Sequence, residues 1–116
     1  MTDSRLKTGR DGEEMAVLAL EKRGYQIIER NFRRREGEID IIAVKNNCLY
    51  FVEVRTRRGG GFGRAVESVN RQKRLQMQRI AEIYLAELGR EINCEFLVIA
   101  IDLAADQLEI ISDLLV

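Results

Sequence analysis

Two pairs of charged residues interrupt segments of the sequence that are otherwise rich in β-branched residues. Glu38 and Asp40 are two positions apart in one segment, and Glu53 and Arg55 are two positions apart in the next. Because side chains alternate along a strand, each pair is expected to point to one face of a sheet. A buried carboxylate is costly without a partner, so these charges need a cation, a metal ion or an exit to solvent.

Two interpretations of these charges follow from spacing alone. Carboxylates of Asp40 and Glu53, converging from adjacent strands, could hold a hard divalent cation such as Mg²⁺, with Glu13 on the first predicted helix as a third ligand. Alternatively, Arg55 pairs with Glu53 or Asp40 at a strand end and Glu38 is solvated. The spacing leaves both interpretations open.

The composition excludes several classes of enzyme. The 116 residues, 46% hydrophobic and 33% charged, predict one domain over residues 1–116 with short tails at 1–8 and 113–116.

The chain has no histidine, which excludes Ser-His-Asp triads and His-ligated zinc. The glycines at 59, 60, 61 and 63 fit neither a Walker motif nor a dinucleotide fingerprint. Cys48 and Cys94 have no neighbouring cysteine at metal-binding spacing and are predicted to be small buried hydrophobes.

Hydrophobic periodicity and turn residues predict the order of the elements. A helix is expected over residues 9–23 with Thr8 as its cap, then an edge strand over 25–32 and a hairpin of two central strands over 37–44 and 48–56. A glycine-rich loop over 57–64 precedes a helix that runs from the cap Asn70 to Leu88, and strands follow over 93–103 and 108–112. The apolar stripe of the second helix is Met77, Ile80, Ala81, Tyr84 and Leu88. This order predicts an α/β fold with a mixed sheet flanked by helices.

The zero net charge conceals a strong asymmetry along the chain. Residues 41–80 carry nine basic and two acidic side chains, whereas residues 81–116 carry one basic and eight acidic. If the middle segment forms one face, that face could bind phosphates; the alternatives are pairing between the two blocks or a solvated surface. The candidate nucleic-acid contacts are Arg57, Arg58, Arg64, Arg71, Lys73 and Arg74. Phe62 could stack on a base, or it could anchor the loop to the sheet.

The location of the protein is predicted from what the sequence lacks. Its longest apolar runs, residues 15–20 and 96–101, are six residues each, far below the roughly 20 needed to span a bilayer. No apolar stretch of signal-peptide length lies near the N-terminus. We therefore expect a cytoplasmic protein with no membrane contact.

Three runs of residues carry a resemblance to a known family. They are residues 9–13 (Gly-Arg-Asp-Gly-Glu), 37–43 (Gly-Glu-Ile-Asp-Ile-Ile-Ala) and 51–57 (Phe-Val-Glu-Val-Arg-Thr-Arg). Together with residues 30–32, 62–63 and 69–73, they resemble the YraN-like family of bacterial proteins over about residues 9–103. The resemblance implies a fold similar to the restriction-endonuclease-like core of archaeal Holliday junction resolvases and other PD-(D/E)xK nucleases, in the order αβββαβ(β).

The resemblance also implies a reaction. In such nucleases an acidic residue on the first helix, an Asp on one strand and a Glu-x-Lys on the next form a metal-dependent site for phosphodiester hydrolysis. Matched position by position, this implies that Glu13, Asp40, Glu53 and Arg55 are catalytic, with Mg²⁺ or Mn²⁺ on the three carboxylates. Glu38 either points into this site or binds one of the neighbouring arginines Arg33, Arg34 and Arg35.

The sequence departs from the family pattern at two positions. Arg55 stands where the motif has Lys, and Leu97 stands where the family usually has Asp after Phe96. Because an arginine stays protonated, Arg55 could orient water or offset developing charge but would be a poor base.

Three functions therefore remain open from the sequence. The first is a metal-dependent endonuclease acting on branched or single-stranded DNA. The second is a structure-selective nucleic-acid-binding protein that has lost its chemistry. The third is an interaction module, including a homodimer, in which the oppositely charged blocks of neighbouring chains attract each other.

Overall fold

The computed structural model describes residues 4–60 and 69–112, with side chains from residue 11 onward. The elements are helix α1 (Ser4–Lys22), strands β1 (Gln26–Arg34), β2 (Gly37–Lys45) and β3 (Cys48–Arg57), helix α2 (Arg71–Leu88), and strands β4 (Asn93–Asp102) and β5 (Gln107–Ser112). This is the predicted α/β order αβββαβ(β). Most of the predicted glycine-rich loop, including Phe62 and Arg64, lies outside the described residues. Among the described residues, no helix is long and apolar enough to cross a membrane.

The strands form one mixed sheet in the order β1-β2-β3-β4-β5. Strand β3 pairs in parallel with β4, and the other neighbours are antiparallel. The parallel pair requires a crossover, and α2 lies in the connection that provides it. The first and last strands form the edges, and the edge position of the first was predicted. The tight turn between β2 and β3 depends on Asn46 and Asn47, whose φ angles of 51° and 60° few other residues adopt readily.

The two helices cover opposite faces of the sheet and define two core clusters. The α2-side cluster includes Met77, Ile80, Ala81 and Tyr84 together with Phe51 of β3. The α1-side cluster includes Ala16, Val17 and Leu20 together with Val52, the next residue of β3. Burial on both faces explains why the central strands are nearly continuous apolar runs.

Four details of the prediction are wrong. Helix α1 begins at Ser4, because residues 4–8 contain no helix breaker, and Thr8 lies inside it instead of capping it. Leu88, the last residue of α2, is 41% exposed and does not join the core stripe. Cys48 and Cys94 are only half-buried, since both lie at the starts of strands near the rim of the sheet.

Candidate metal and phosphodiester site

The candidate site lies where strands β1 and β2 change faces. Ile39 packs in the α2-side cluster, whereas Ile41, two positions later, packs in the α1-side cluster. Strict alternation of side chains therefore fails between Ile39 and Ile41, so it does not assign Asp40 to a face, and the shared face of Glu38 and Asp40 stays a prediction. Asn31 of β1, opposite Asp40 in the ladder, has a left-handed φ of 54° that asparagine tolerates better than most residues.

Asp40 occupies this irregularity and turns its side chain toward β3. Its Oδ2 accepts a hydrogen bond of 2.7 Å from the backbone N–H of Val54. Burial, followed by a hydrogen bond to the carboxyl group of Glu53 and the charge of that group, raises the pKa of Asp40 to about 8. The Asp40 carboxyl therefore keeps its proton near neutral pH, next to Glu53.

Glu53 is a buried carboxylate next to a lysine that belongs to another element. It is only 5% exposed, and its Oε2 lies 3.1 Å from Nζ of Lys73 on α2. Oε2 is buried and makes no hydrogen bond, so the Lys73 ammonium offsets its charge as an ion pair. An oxygen without a hydrogen bond keeps lone pairs that a bound divalent cation could use.

The start of α2 fixes the position of this lysine. Asn70 caps the helix, and its side chain accepts a hydrogen bond of 2.9 Å from the backbone N–H of Lys73. The Lys73 ammonium also reaches Oε1 of Gln76 at 3.4 Å. Lys73 was predicted as a contact for nucleic acid, which stays a prediction, and the structure places its ammonium next to Glu53.

Glu13 approaches the same region from the opposite face of the sheet. Its Oε1 is buried without a hydrogen-bond partner and lies 3.9 Å from Arg30, which makes a closer ion pair of 2.8 Å with Glu14. Burial raises the pKa of Glu13, and the Glu13 charge in turn raises the pKa of Asp40. Glu13 is therefore near enough to influence Asp40 electrostatically.

Glu38 pairs with a neighbouring arginine, which was one of its two predicted roles. Its Oε2 accepts a hydrogen bond of 2.7 Å from Nε of the exposed Arg33, its partner across the β1–β2 ladder. The charge of Glu38 still raises the pKa of Glu13. It is thus a neighbour of the site whose charge is offset by an arginine.

The donor set fits a hydrated divalent ion held by two carboxylates. Among the described residues, no group of three or more His, Cys, Asp or Glu residues is arranged to hold a metal ion. Asp40 and Glu53 nevertheless lie side by side, and a buried oxygen of Glu53 makes no hydrogen bond. Mg²⁺ commonly binds proteins through one or two carboxylates and keeps several waters, so this pair is chemically suitable for it.

Arg55 does not pair with the carboxylates, although that pairing was the structural alternative from the sequence. Within the described part of the chain the cation next to Glu53 is Lys73, while Arg55 lines a groove against α2. Nε of Arg55 is buried and has no hydrogen-bond partner. The other basic candidates on β3 and α2 surround this region: Arg57, Arg58 and Arg71 are exposed, and Arg74 is half-buried.

Comparison with known proteins agrees with the resemblance seen in the sequence. Residues 12–101 match the model of a family described as uncharacterised protein family UPF0102. The chain belongs to this family. It is 43% identical over 102 residues to a UPF0102 protein of Moorella thermoacetica, covering 87% of this chain and 85% of that protein. It is also 40% identical over 103 residues to a UPF0102 protein of Chlorobium chlorochromatii, covering 89% and 80%.

The UPF0102 match spans every residue of the candidate site, from Glu13 on α1 to Lys73 on α2. One position beyond the end of the match lies a buried carboxylate, Asp102, that the sequence did not single out. Oδ1 of Asp102 accepts hydrogen bonds from the backbone N–H groups of Gly59, Ala104 and Ala105 at 2.8–3.3 Å. Its position at the end of an apolar strand was the available signal, and its role is to hold the segment that follows β3.

Proposed function

We propose that this UPF0102 protein is a metal-dependent phosphodiesterase that cleaves DNA in the cytoplasm. One observation carries the proposal: Asp40 and Glu53 meet on adjacent strands, and a buried oxygen of Glu53 that makes no hydrogen bond lies next to the ammonium of Lys73. Two carboxylates that could bind a metal ion, with a lysine beside them, form a set of groups that metal-assisted hydrolysis of a phosphodiester can use.

Asp40 and Glu53 would hold Mg²⁺ or Mn²⁺, which would acidify a bound water and polarise the scissile phosphate. Lys73 offsets the negative charge that develops on the phosphate, and as a lysine it can also exchange a proton. Glu13 adds negative charge behind Asp40 and so strengthens the attraction of the pair for a cation. Arg55 contributes a fixed positive charge on the groove side.

Lys73 supplies a lysine next to Glu53, although the sequence lacks the lysine of the Glu-x-Lys pattern. The residue two positions after Glu53 is Arg55, which cannot act as a base. The lysine that reaches Glu53 comes from the first turn of α2, 20 positions further along the chain. The proposed site therefore contains an Asp, a Glu and a Lys, although the Lys lies on a different element from the one implied by the resemblance.

A second candidate function is binding of branched or single-stranded nucleic acid without hydrolysis. The observation in its favour is that the described residues provide two adjacent carboxylates and no group of three. The exposed side chains of Arg57, Arg58 and Arg71 would serve either function, because they would contact phosphates and not bases. Pairing of two chains through their charged segments remains a prediction, which sedimentation at low and high salt would test.

The proposal is tested by cleavage of single-stranded, duplex and four-way-junction DNA in Mg²⁺, in Mn²⁺ and in EDTA. Asp40→Asn and Glu53→Gln, purified identically, are expected to abolish cleavage. Asp106→Asn is the matched control, because Asp106 is exposed on a turn with a φ of 51° that asparagine adopts readily. Cleavage that survives both site variants would betray a contaminant and reject the proposal. If no substrate is cut while DNA still binds, binding without hydrolysis becomes the function.

A further inference from the structure

A groove of about 520 Å³ opens beside the carboxylate pair, between β3, the β1–β2 turn and α2. Lys73, whose ammonium contacts Glu53, lines it together with Arg55 and Arg79. Its volume lies within the roughly 300–1,000 Å³ of typical small-ligand sites. The groove therefore has room for about one nucleotide next to the proposed reaction centre.

The charge of the groove favours an anion. Among the described lining residues, the cations Arg55, Lys73 and Arg79 oppose one carboxylate, that of the exposed Glu36. Lys73 is already engaged by Glu53 and Gln76. Within the described part of the chain, neither Arg55 nor Arg79 forms a hydrogen bond or an ion pair, and Nε of Arg55 is buried. Guanidinium groups that make no contact of this kind within the protein can donate paired hydrogen bonds to the oxygens of a phosphate.

The described lining has three uncharged polar side chains: Gln72 is exposed, whereas Gln76 and Asn70 are used within the protein. The Gln76 amide donates to the backbone carbonyl of Glu36 at 3.1 Å and accepts from Lys73. Asn70 Oδ1 caps α2. Leu75, which is 54% exposed, gives the groove an apolar surface. Such a lining holds a sugar or base by contact but provides few groups to identify the base.

We infer that this groove is a subsite for the nucleotide adjacent to the cleaved phosphodiester, held through its phosphate by Arg55 and Arg79 with no preference for the base. The inference rests on the proposed function for the identity of the ligand. The inference also specifies the substrate at this position. The nucleotide is unstacked, because a groove of this size takes a single nucleotide and not a base pair. A strand bound here would extend from the carboxylates toward Arg79.

The test uses binding in EDTA, so that it does not depend on cleavage. Titration of the ¹⁵N-labelled protein with thymidine 5′-monophosphate is expected to shift the amide signals of α2, while thymidine at the same concentration shifts none. Arg79→Gln should weaken the nucleotide about tenfold, as expected for loss of one charge-assisted contact. Adenosine 5′-monophosphate should bind within a few-fold of the thymidine nucleotide. Glu36→Gln should tighten binding, because it removes a negative charge from the lining of the groove.

Arg90→Gln is the matched control, since Arg90 is an exposed arginine near the far end of α2 and does not line the groove. If Arg79→Gln and Arg90→Gln weaken nucleotide binding equally, the inference is overturned, because the net charge of the protein would then explain the effect. Absence of nucleotide binding to the folded protein would also overturn it. The two proposals can be rejected independently. Nucleotide binding without DNA cleavage would support the subsite and reject the proposed hydrolysis. DNA cleavage that Arg79→Gln leaves unchanged would support the hydrolysis and reject the subsite.

Discussion

Gly12 of α1 lies against Thr56 of β3 so closely that a Cβ atom at Gly12 would be 2.0 Å from Thr56 Oγ1 and 3.0 Å from Thr56 Cβ. A glycine is therefore required for α1 to approach the sheet at this point. The next residue of the helix is Glu13, whose charge acts on Asp40. The close approach of α1 to β3 thus brings the Glu13 carboxylate, on one face of the sheet, near the carboxylate pair of Asp40 and Glu53, which opens on the other face.

Gly12→Ala is expected to lower the free energy of unfolding by about 1–3 kcal/mol, the usual cost of overpacking a filled site. It should also slow DNA cleavage, because α1 must move away from β3 and carry Glu13 with it. Thermal melts and cleavage rates measure the two effects. Adding Thr56→Ala removes the nearest clashing atom and should restore part of both. If Gly12→Ala lowers stability but the folded protein cuts at the normal rate, Glu13 has no role in the reaction.

Asp40→Asn is expected to make the metal-free protein more stable than the parent protein, and by a larger margin at higher pH. The folded state raises the pKa of Asp40 from 3.8 to about 8, so between these values the folded protein keeps a proton that the unfolded chain has lost. Folding stability from this group is present at low pH and decreases as the pH rises through that window. An asparagine mimics the protonated form and removes the loss, which should amount to about 2–4 kcal/mol at pH 8 and little at pH 4.

Asp102→Asn is the control for this effect, because it makes the same change at a carboxylate with a structural role. Asp102 is 5% exposed, and one of its oxygens accepts three backbone N–H groups. Its replacement should lower stability by about 1–3 kcal/mol, since charge-assisted hydrogen bonds are weakened. Urea unfolding in EDTA at pH 5 and pH 8 distinguishes the two residues. Equal destabilisation by both substitutions would mean that Asp40 is an ordinary structural carboxylate.

Periodicity predicted the elements well where a segment has one dominant environment. The bounds of α2 follow from the Asn70 cap and from Gly89, which has the left-handed φ of 73° expected at a helix end. The β2–β3 hairpin follows from its β-branched strands and the two asparagines of its turn. The two core clusters agree with the double-sided burial of these strands.

The site could be predicted only in part, because two of its features depend on tertiary structure. The alternation rule assigns Asp40 to a face, and nothing in its own strand indicates that Asn31 on β1 allows both strands to change faces there. Likewise, the run of basic residues made Lys73 a candidate for phosphate contact. Its ion pair with Glu53 depends on how α2 docks on the sheet, which the local sequence does not encode.

Reversal of charge at Arg57 is expected to weaken DNA binding equally for all sequences. Arg57 is exposed at the end of β3, and its nearest hydrogen-bond acceptor is the adjacent backbone carbonyl of Thr56 at 3.3 Å. A phosphate contact at this position should account for about 0.9 of the log–log salt slope on duplex DNA. Binding of unrelated duplexes by Arg57→Glu, measured between 50 and 200 mM salt, gives this slope, with the distant Arg23→Glu as control. Weakening confined to one DNA sequence would contradict a phosphate contact.

Substitution of Lys73 separates a role in the reaction from a role in gripping DNA. Because Lys73 Nζ lies 3.1 Å from the buried Glu53 carboxylate, Lys73→Met should lower kcat about 100-fold or more with little change in KM. Lys73→Arg keeps the positive charge next to Glu53, so it should preserve the melting temperature and still lower kcat if a proton moves through the ammonium. Arg71→Gln, on the exposed first turn of the same helix, should raise KM and reduce the salt slope while kcat stays constant. If Lys73→Met and Arg71→Gln give the same change in KM and neither alters kcat, Lys73 is only the phosphate contact that its basic neighbourhood predicted.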